Sequence, residues 1–197
     1  GGDLALTVAQ REAKPQEVSA RQALGQVSRS QTLRATIVAA GGRTQLAELT
    51  GVDARWPLSG ELQLQSGARP KGREVALGAD LARRLAIRPG DRVRIGYGEF
   101  RVSGTIEAMP SMSGFALAPP ALVDEAGLAA TTLVQPGSLY TTSYRLLLPT
   151  GADPDSTAKA FRLRFAEGGW NAIERSDAGG GTRRLVEPHP EQRAADH

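Results

Sequence analysis

The chain has 197 residues, of which 40% are apolar and 23% charged, and its formal net charge is only +3. This composition is typical of a folded protein of ordinary domain size, and its scattered, nearly balanced charge argues against a dedicated nucleic-acid binder. The absence of cysteine excludes a disulfide framework, a thiolate metal site and a cysteine nucleophile. No stretch reaches the roughly 18 apolar residues that a membrane-spanning helix needs.

The first fifty residues predict a strand, a helix and a β-hairpin. "DLALTVAQ" has residues typical of a strand, and "KPQEVSARQALGQVS" predicts a helix with Pro15 in its first turn. The apolar face predicted for this helix consists of Val18, Ala20, Ala23, Leu24 and Val27. Two strands then surround a Gly41-Gly42 turn. In the first of them, every second residue is apolar, at Leu33, Ala35, Ile37 and Ala39.

The middle of the chain predicts short strands separated by Pro and Gly, and its clearest motif is "LGADLARRLAIRPGDRVRIGYGEF". The motif predicts, in order, a strand at residues 75–77, a helix charged at its start by Asp80, a stop at Pro89-Gly90 and two strands around Tyr97-Gly98. Leu81 and Leu85 should stack on one face of the helix while Arg83 points away. "FALAPPALVDEAGLA" then predicts a strand, a Pro-Pro break and a short helix.

The last third predicts strand, helix and strand. "SYRLLLPT" is a buried strand, "DPDSTAKAFRLRFAEGGW" is a helix, and "WNAIERS" is the last strand. The inner side predicted for this helix consists of Ala160, Leu163, Phe165 and Ala166. The whole is an α+β fold: residues 1–50 and 141–180 should form one α+β subdomain, residues 51–140 an inserted β-rich subdomain, and residues 181–197 a disordered tail.

Few residues of this chain are suited to chemistry. His189 and His197 both lie in the predicted tail, and "AGGGTRR" lacks the rest of a phosphate-binding loop. Asp153 and Asp155 are explained by helix capping. A Ser-Lys pair would have to draw on Lys14, Lys71, Lys159, Ser59, Ser103 and Ser113. The sequence therefore predicts no catalytic, cofactor-binding or metal-binding residue.

One segment suggests contact with another molecule. Met109, Met112 and Phe115 fall in "MPSMSGFAL", and methionine adapts to irregular apolar partners such as lipid or protein. The alternative interpretation is that this segment covers the core. Trp56 and Trp170 are predicted to be packing anchors.

Five segments, in order, resemble a known family. They are "GGDLAL", "LTGVDARWPLSGELQL", "ALGADLARRLAIRPGDRVRIG", "LVQPGSLYTTSYRLLLP" and "GWNAIERSDAGGGTRR", and together they span residues 2–184. They resemble the MacB-type periplasmic core domain of FtsX/MacB-like ABC transporter permeases, most of all the YbbP-like branch. The polar "LVEPHPEQRAADH" departs from the family, in which a helix enters the membrane at this point.

The resemblance implies a soluble extracytoplasmic domain between the first two membrane helices of a permease, built from a split porter-like subdomain and an inserted β-rich one. It implies a cytoplasmic ATPase subunit as the motor, and as partners a second permease copy or its other periplasmic domain. Cargo would be hydrophobic, lipid-linked or peptidic. Two alternatives stay open: a free-standing adaptor or substrate-recognition module, and a small serine hydrolase.

Overall fold

The computed structural model describes residues 2–22, 25–110, 118–176 and 184–185, and these ranges contain eleven strands and four α-helices. The strands are β1 Gly2–Ala9, β2 Gln26–Ala39, β3 Thr44–Val52, β4 Gln63–Gly67, β5 Glu74–Gly78, β6 Arg92–Ile95, β7 Gly98–Ala108, β8 Pro120–Asp124, β9 Tyr140–Leu147, β10 Asn171–Ser176 and β11 Arg184–Leu185. The helices are α1 Pro15–Gln22, α2 Ala79–Leu85, α3 Glu125–Thr131 and α4 Pro154–Arg164. This α+β content confirms the predicted fold class.

The strands form one continuous network in the order β11-β10-β1-β9-β2-β3-β8-β5-β7-β4. β6 pairs with both β2 and β7, and thereby closes β2, β3, β8, β5, β7 and β6 into a six-stranded barrel. Two pairs in the barrel, β3 with β8 and β5 with β7, are parallel. Parallel neighbours need long crossover connections, which α2 and the segments around it supply here.

Strand β2 belongs to both parts of the molecule. Its first half, from Gln26 to Leu33, pairs with β9, and its last three residues pair with β6. On its other edge, β3 pairs with it from Ser30 to Val38. A strand of 14 residues is about 45 Å long at the usual rise per residue, so β2 runs from the sheet that holds both terminal strands into the barrel.

Apolar side chains collect in three clusters. The first fills the barrel and includes the alternating residues of β2, which confirms their predicted burial. Its members on β2 are Leu33, Ala35, Ile37 and Ala39. The second lies between α1, α4 and the sheet of β1 and β9, and the third lies around Trp56 with Val52, Ala76, Ile106 and Leu122.

The predicted division into subdomains remains a proposal. The second cluster is made only of residues from the first and last thirds of the chain, as that division requires. The barrel cluster, however, joins residues 33–49 to the middle segment. We therefore propose that the boundary lies within β2, near Leu33, and not at residue 50.

Two predicted helix faces were only partly right, since Ala20 is buried and Phe165 packs against the second cluster, but other predicted members are not. In α1, which ends at Gln22, the buried residues are Glu17, Ala20 and Arg21, and Val27 lies on β2. Ala23 and Leu24 fall outside the described residues. In α4 the buried residues are Ala158 and Phe161, whereas Leu163 is 78% exposed. The aromatic partners of Phe161, among them Trp170, decide which face turns inward.

The end of α2 differs from its prediction, whereas its start does not. Asp80 lies in the first turn of α2, as predicted, and it makes no side-chain cap because the helix begins at Ala79, after Gly78. The helix ends at Leu85 through the left-handed Ala86, before the Pro89-Gly90 turn is reached. Leu81 and Leu85 are buried and Arg83 is exposed, as predicted. Strand β8 begins at Pro120, the second proline of the Pro-Pro pair.

Candidate functional site

The two ends of the described fold lie side by side. Gly2 at the start of β1 is the Cα partner of Ser176 at the end of β10. β1 is also paired along its length with β9, which in turn pairs with β2. β1 therefore lies two ladders away from β2, and β10 lies three ladders away from it.

A buried carboxylate ties these terminal strands to α1. Glu17 is 2% exposed and accepts hydrogen bonds from Arg11 at 2.8 and 3.1 Å, from the backbone N–H of Lys14 at 2.8 Å and from the indole N–H of Trp170. Arg11 also donates to the carbonyl oxygen of Gly168 at 2.6 Å. We call Arg11, Glu17, Gly168 and Trp170 the clasp, because they join the segment after β1, the helix α1 and the start of β10.

The clasp keeps its charges in a mostly buried setting. Burial alone would raise the pKa of Glu17, but the hydrogen bonds from Arg11, Lys14 and Trp170 outweigh it and lower the pKa to about 2. Beside the clasp, the guanidinium carbon of Arg21 lies 3.4 Å from the centroid of the Tyr144 ring. Burial lowers the pKa of Arg21, yet an arginine stays protonated at physiological pH.

A second polar contact joins the two parts of the molecule. Arg29 on β2 donates to Glu125 on α3 at 2.9 Å and to Glu12 in the loop after β1. Its backbone N–H donates to Asp53 at 2.8 Å. Burial would lower the pKa of Arg29, but attraction to the two glutamates outweighs it, and the pKa is raised. We call Glu12, Arg29 and Glu125 the brace, because they link the terminal sheet to a helix of the barrel.

The predicted contact residues are described only in part. Met109 is half-buried and packs against the third apolar cluster, whereas Met112 and Phe115 lie outside the described residues. Trp56 and Trp170 are both buried, as expected of packing anchors. The contact role of the methionine segment stays a prediction.

The residues considered for chemistry lie in ordinary structural roles where they are described. Asp153 caps α4 by accepting from the backbone N–H of Ser156 at 3.2 Å, and Lys159 pairs with Asp155 at 3.1 Å on the same helix. Ser103 is buried in β7. Within the described ranges, no three His, Asp or Glu side chains are grouped so as to hold a metal ion. Ser113, His189, His197 and the "AGGGTRR" loop up to Arg183 lie outside the described residues.

Sequence reasoning missed the clasp and the brace. The sequence did contain a signal for Glu17. This residue stands three positions after Lys14 and accepts a hydrogen bond from the backbone N–H of Lys14, which is the acidic half of a capping box. No comparable signal marks Arg29, since its partners Glu12 and Glu125 are brought to it only by tertiary structure.

These features describe a domain whose strands β1 and β10 are adjacent and whose two parts share strand β2. The family model of the MacB-like periplasmic core domain matches residues 2–164, so the chain belongs to this family. The chain is similar to the "Uncharacterized ABC transporter permease YbbP" of Escherichia coli (strain K12), with 32% identity over 114 residues. That match covers 56% of this chain and 14% of the permease, so the chain spans a small part of its curated relative.

Solved structures show the same fold at low sequence identity. The periplasmic region of MacB from Actinobacillus actinomycetemcomitans is 11% identical, with a TM-score of 0.57 and coverage of 86% of this chain and 87% of that one. A domain of a putative permease from Porphyromonas gingivalis is 13% identical, with a TM-score of 0.56 and coverage of 96% and 94%. The extracellular domain of the noncanonic ABC-type transporter YknZ from Gram-positive bacteria is 13% identical, with a TM-score of 0.59 and coverage of 85% and 97%.

The chain is thus a periplasmic domain of a MacB-like ABC transporter permease, which confirms the family, fold class and location predicted from sequence. The family is one of permease periplasmic domains and not of enzymes, so the serine-hydrolase alternative is set aside. None of the helices in the described ranges is both long and apolar enough to cross a membrane.

Proposed function

We propose that this domain relays motion from the membrane part of a permease, driven by a separate cytoplasmic ATPase subunit, to cargo or to a partner protein. The observation that carries the proposal is the unbroken course of β2 from the terminal sheet into the barrel. A shared strand transmits displacement without a flexible linker between the two parts.

The clasp and the brace support this role. Residues of the clasp hold α1 and the start of β10 together, so that α1 would move with the adjacent strands β1 and β10. Brace residues connect that sheet to α3, which packs on the barrel through Leu128. A movement of β1 and β10 would therefore turn both parts together.

Contact with cargo or partner would occur on the barrel side. We keep Met109, Met112 and Phe115 as proposed contact residues for hydrophobic or lipid-linked cargo, for a second permease copy or for its other periplasmic domain. Met109 is anchored on the third apolar cluster, together with Trp56 and Ile106. Met109 would then follow any movement of the barrel.

Spin labels in the full permease, assembled with its ATPase subunit, test the relay. Arg43→Cys places a label on the β2–β3 turn at the far end of β2, Lys159→Cys places one on α4, and a third label marks a membrane helix. On ATP binding, the distance between Arg43→Cys and the membrane label should change, while the distance between Arg43→Cys and Lys159→Cys should not. An ATPase variant that cannot bind ATP is the control. The relay would be refuted if nucleotide did not change the distance between Arg43→Cys and the membrane label.

A further inference from the structure

A groove opens at one end of the barrel, where the parallel strands β5 and β7 reach their carboxyl ends. Its volume is about 670 Å³, within the size range of ligand-binding clefts. The apolar part of its lining includes Leu81, Ile106 and the Pro119-Pro120 pair. Leu81 and Ile106 are buried in the barrel and in the third cluster respectively, so this floor is rigidly held.

Two irregularities of the β4–β7 ladder meet at this groove. Register shifts leave Gln65 on β4 and Glu107 on β7 without Cα partners in the ladder, and both residues line the groove. Bulges commonly serve to aim a side chain away from the regular pleat, often beside functional sites. β4 itself pairs only with β7 among the described strands, so its other edge offers main-chain groups next to Gln65.

The charges of the groove are of both signs. Asp80 and Arg83 form an ion pair with each other, and both line the groove. Arg84 and Glu107 also line it and make no ion pair or side-chain hydrogen bond within the described residues. A complementary partner would therefore bring one acidic and one basic group, together with a small apolar group for the floor.

We propose that this groove binds an extended segment of a partner polypeptide. Acidic and basic side chains of the peptide would meet Arg84 and Glu107, its apolar side chains would rest on Pro119 and Pro120, and its amides would meet Gln65. An unprotected edge strand adds main-chain hydrogen bonds, which is a common mode of peptide recognition. The inference rests on the proposed function in one respect, since the peptide would belong to the cargo or partner on which the relayed motion acts.

The test selects short random peptides displayed on phage against the 197-residue chain, with counter-selection on an Arg84→Glu variant. Enriched peptides are synthesised, and their affinities are measured by fluorescence anisotropy. We expect enriched peptides to carry an acidic residue, and their affinity to fall about tenfold for Arg84→Glu, the usual scale for losing a well-placed contact. Changing the peptide's acidic residue to lysine should restore binding to Arg84→Glu. Arg55→Glu, which changes an exposed arginine that does not line the groove, should leave affinity unchanged.

Two results would overturn the inference. One is that no peptide is enriched, or that enriched peptides bind Arg84→Glu and the unchanged chain equally well. The other is that phosphatidylethanolamine vesicles bind in an Arg84-dependent way while peptides do not, which would assign the groove to a zwitterionic lipid. Circular dichroism and melting temperature verify that each variant is folded. Because these measurements use no ATPase, their failure would leave the nucleotide-dependent movement in the permease unaffected, and the reverse also holds.

Discussion

Replacing Glu17 with glutamine tests the clasp most directly. The substitution keeps the size of the side chain and removes its negative charge, so the bonds from Arg11 and Trp170 lose a charged acceptor. A glutamine amide cannot accept at both of its terminal atoms, because one of them is a donor. Because each carboxylate oxygen accepts from two donors, two of the four donors around position 17 are left without their partner in a buried site.

The magnitude follows from the pKa of Glu17, which lies at about 2 in the folded chain against an ordinary value of 4.5. A difference of this size corresponds to about 3 kcal/mol of folding free energy. Because the folded pKa is the lower one, this stabilisation is fully present above pH 4.5 and is lost as the pH falls towards 2. Glu17→Gln should thus be about 3 kcal/mol less stable at pH 7, and its deficit should shrink steadily below pH 4.5.

Urea unfolding of both chains between pH 7 and pH 2, followed by tryptophan fluorescence and circular dichroism, measures the deficit. The prediction concerns only the difference in unfolding free energy between the two chains, since other carboxylates also titrate in this range. Glu61→Gln, at an exposed position, is the matched control and should show no such difference. A deficit for Glu17→Gln that stays constant from pH 7 to pH 2 would refute the assigned role of the ionised carboxylate.

Three further tests, with five substitutions in all, examine other parts of the structure by thermal or urea unfolding. Arg29→Met removes the brace. Because both partner carboxylates are exposed, we expect the free energy of unfolding to fall by only about 1 kcal/mol, and by less in high salt. A loss several times larger would contradict this weak, solvent-exposed role of the brace. Gly67→Ala would place a methyl group against a backbone oxygen of β7, whereas the methyl group of Gly42→Ala, at a similar positive φ, meets nothing. Gly67→Ala should therefore lower the free energy of unfolding by at least about 2 kcal/mol more than Gly42→Ala does. Equal losses would contradict the close approach of β7 to Gly67. Phe161→Ala should lower the free energy of unfolding by about 3–5 kcal/mol, and Leu163→Ala should lower it by at most about 0.5 kcal/mol. The reverse order would support the inner face of α4 that was predicted from sequence.

Local patterns predicted the parts of this fold whose partners are near in sequence. The alternation on β2, the hairpin around Gly41-Gly42 and the stacked Leu81 and Leu85 each depend on residues a few positions apart. Barrel closure depends instead on pairing β3 with β8 and β5 with β7, and short apolar runs do not specify which strand they join. The face of α1 was missed for a related reason. An apolar stripe was assumed, but Glu17 and Arg21 are buried, and each contacts an aromatic residue more than 120 positions away.

The pairing of β2 also indicates one place where the proposed relay could bend. Residues 26–33 are paired on one edge with β9 and residues 37–39 with β6, so residues 34–36 have a neighbouring strand only on the β3 side. A sheet paired on one edge bends more easily than one paired on both, and bending there would rotate the barrel against the terminal sheet. The brace lies just before this stretch and contacts both parts, at Glu12 and Glu125. Its exposed, salt-sensitive contacts would limit the bend without forbidding it, so the stiffness of the relay should depend on Arg29 even though the stability of the chain depends on it little.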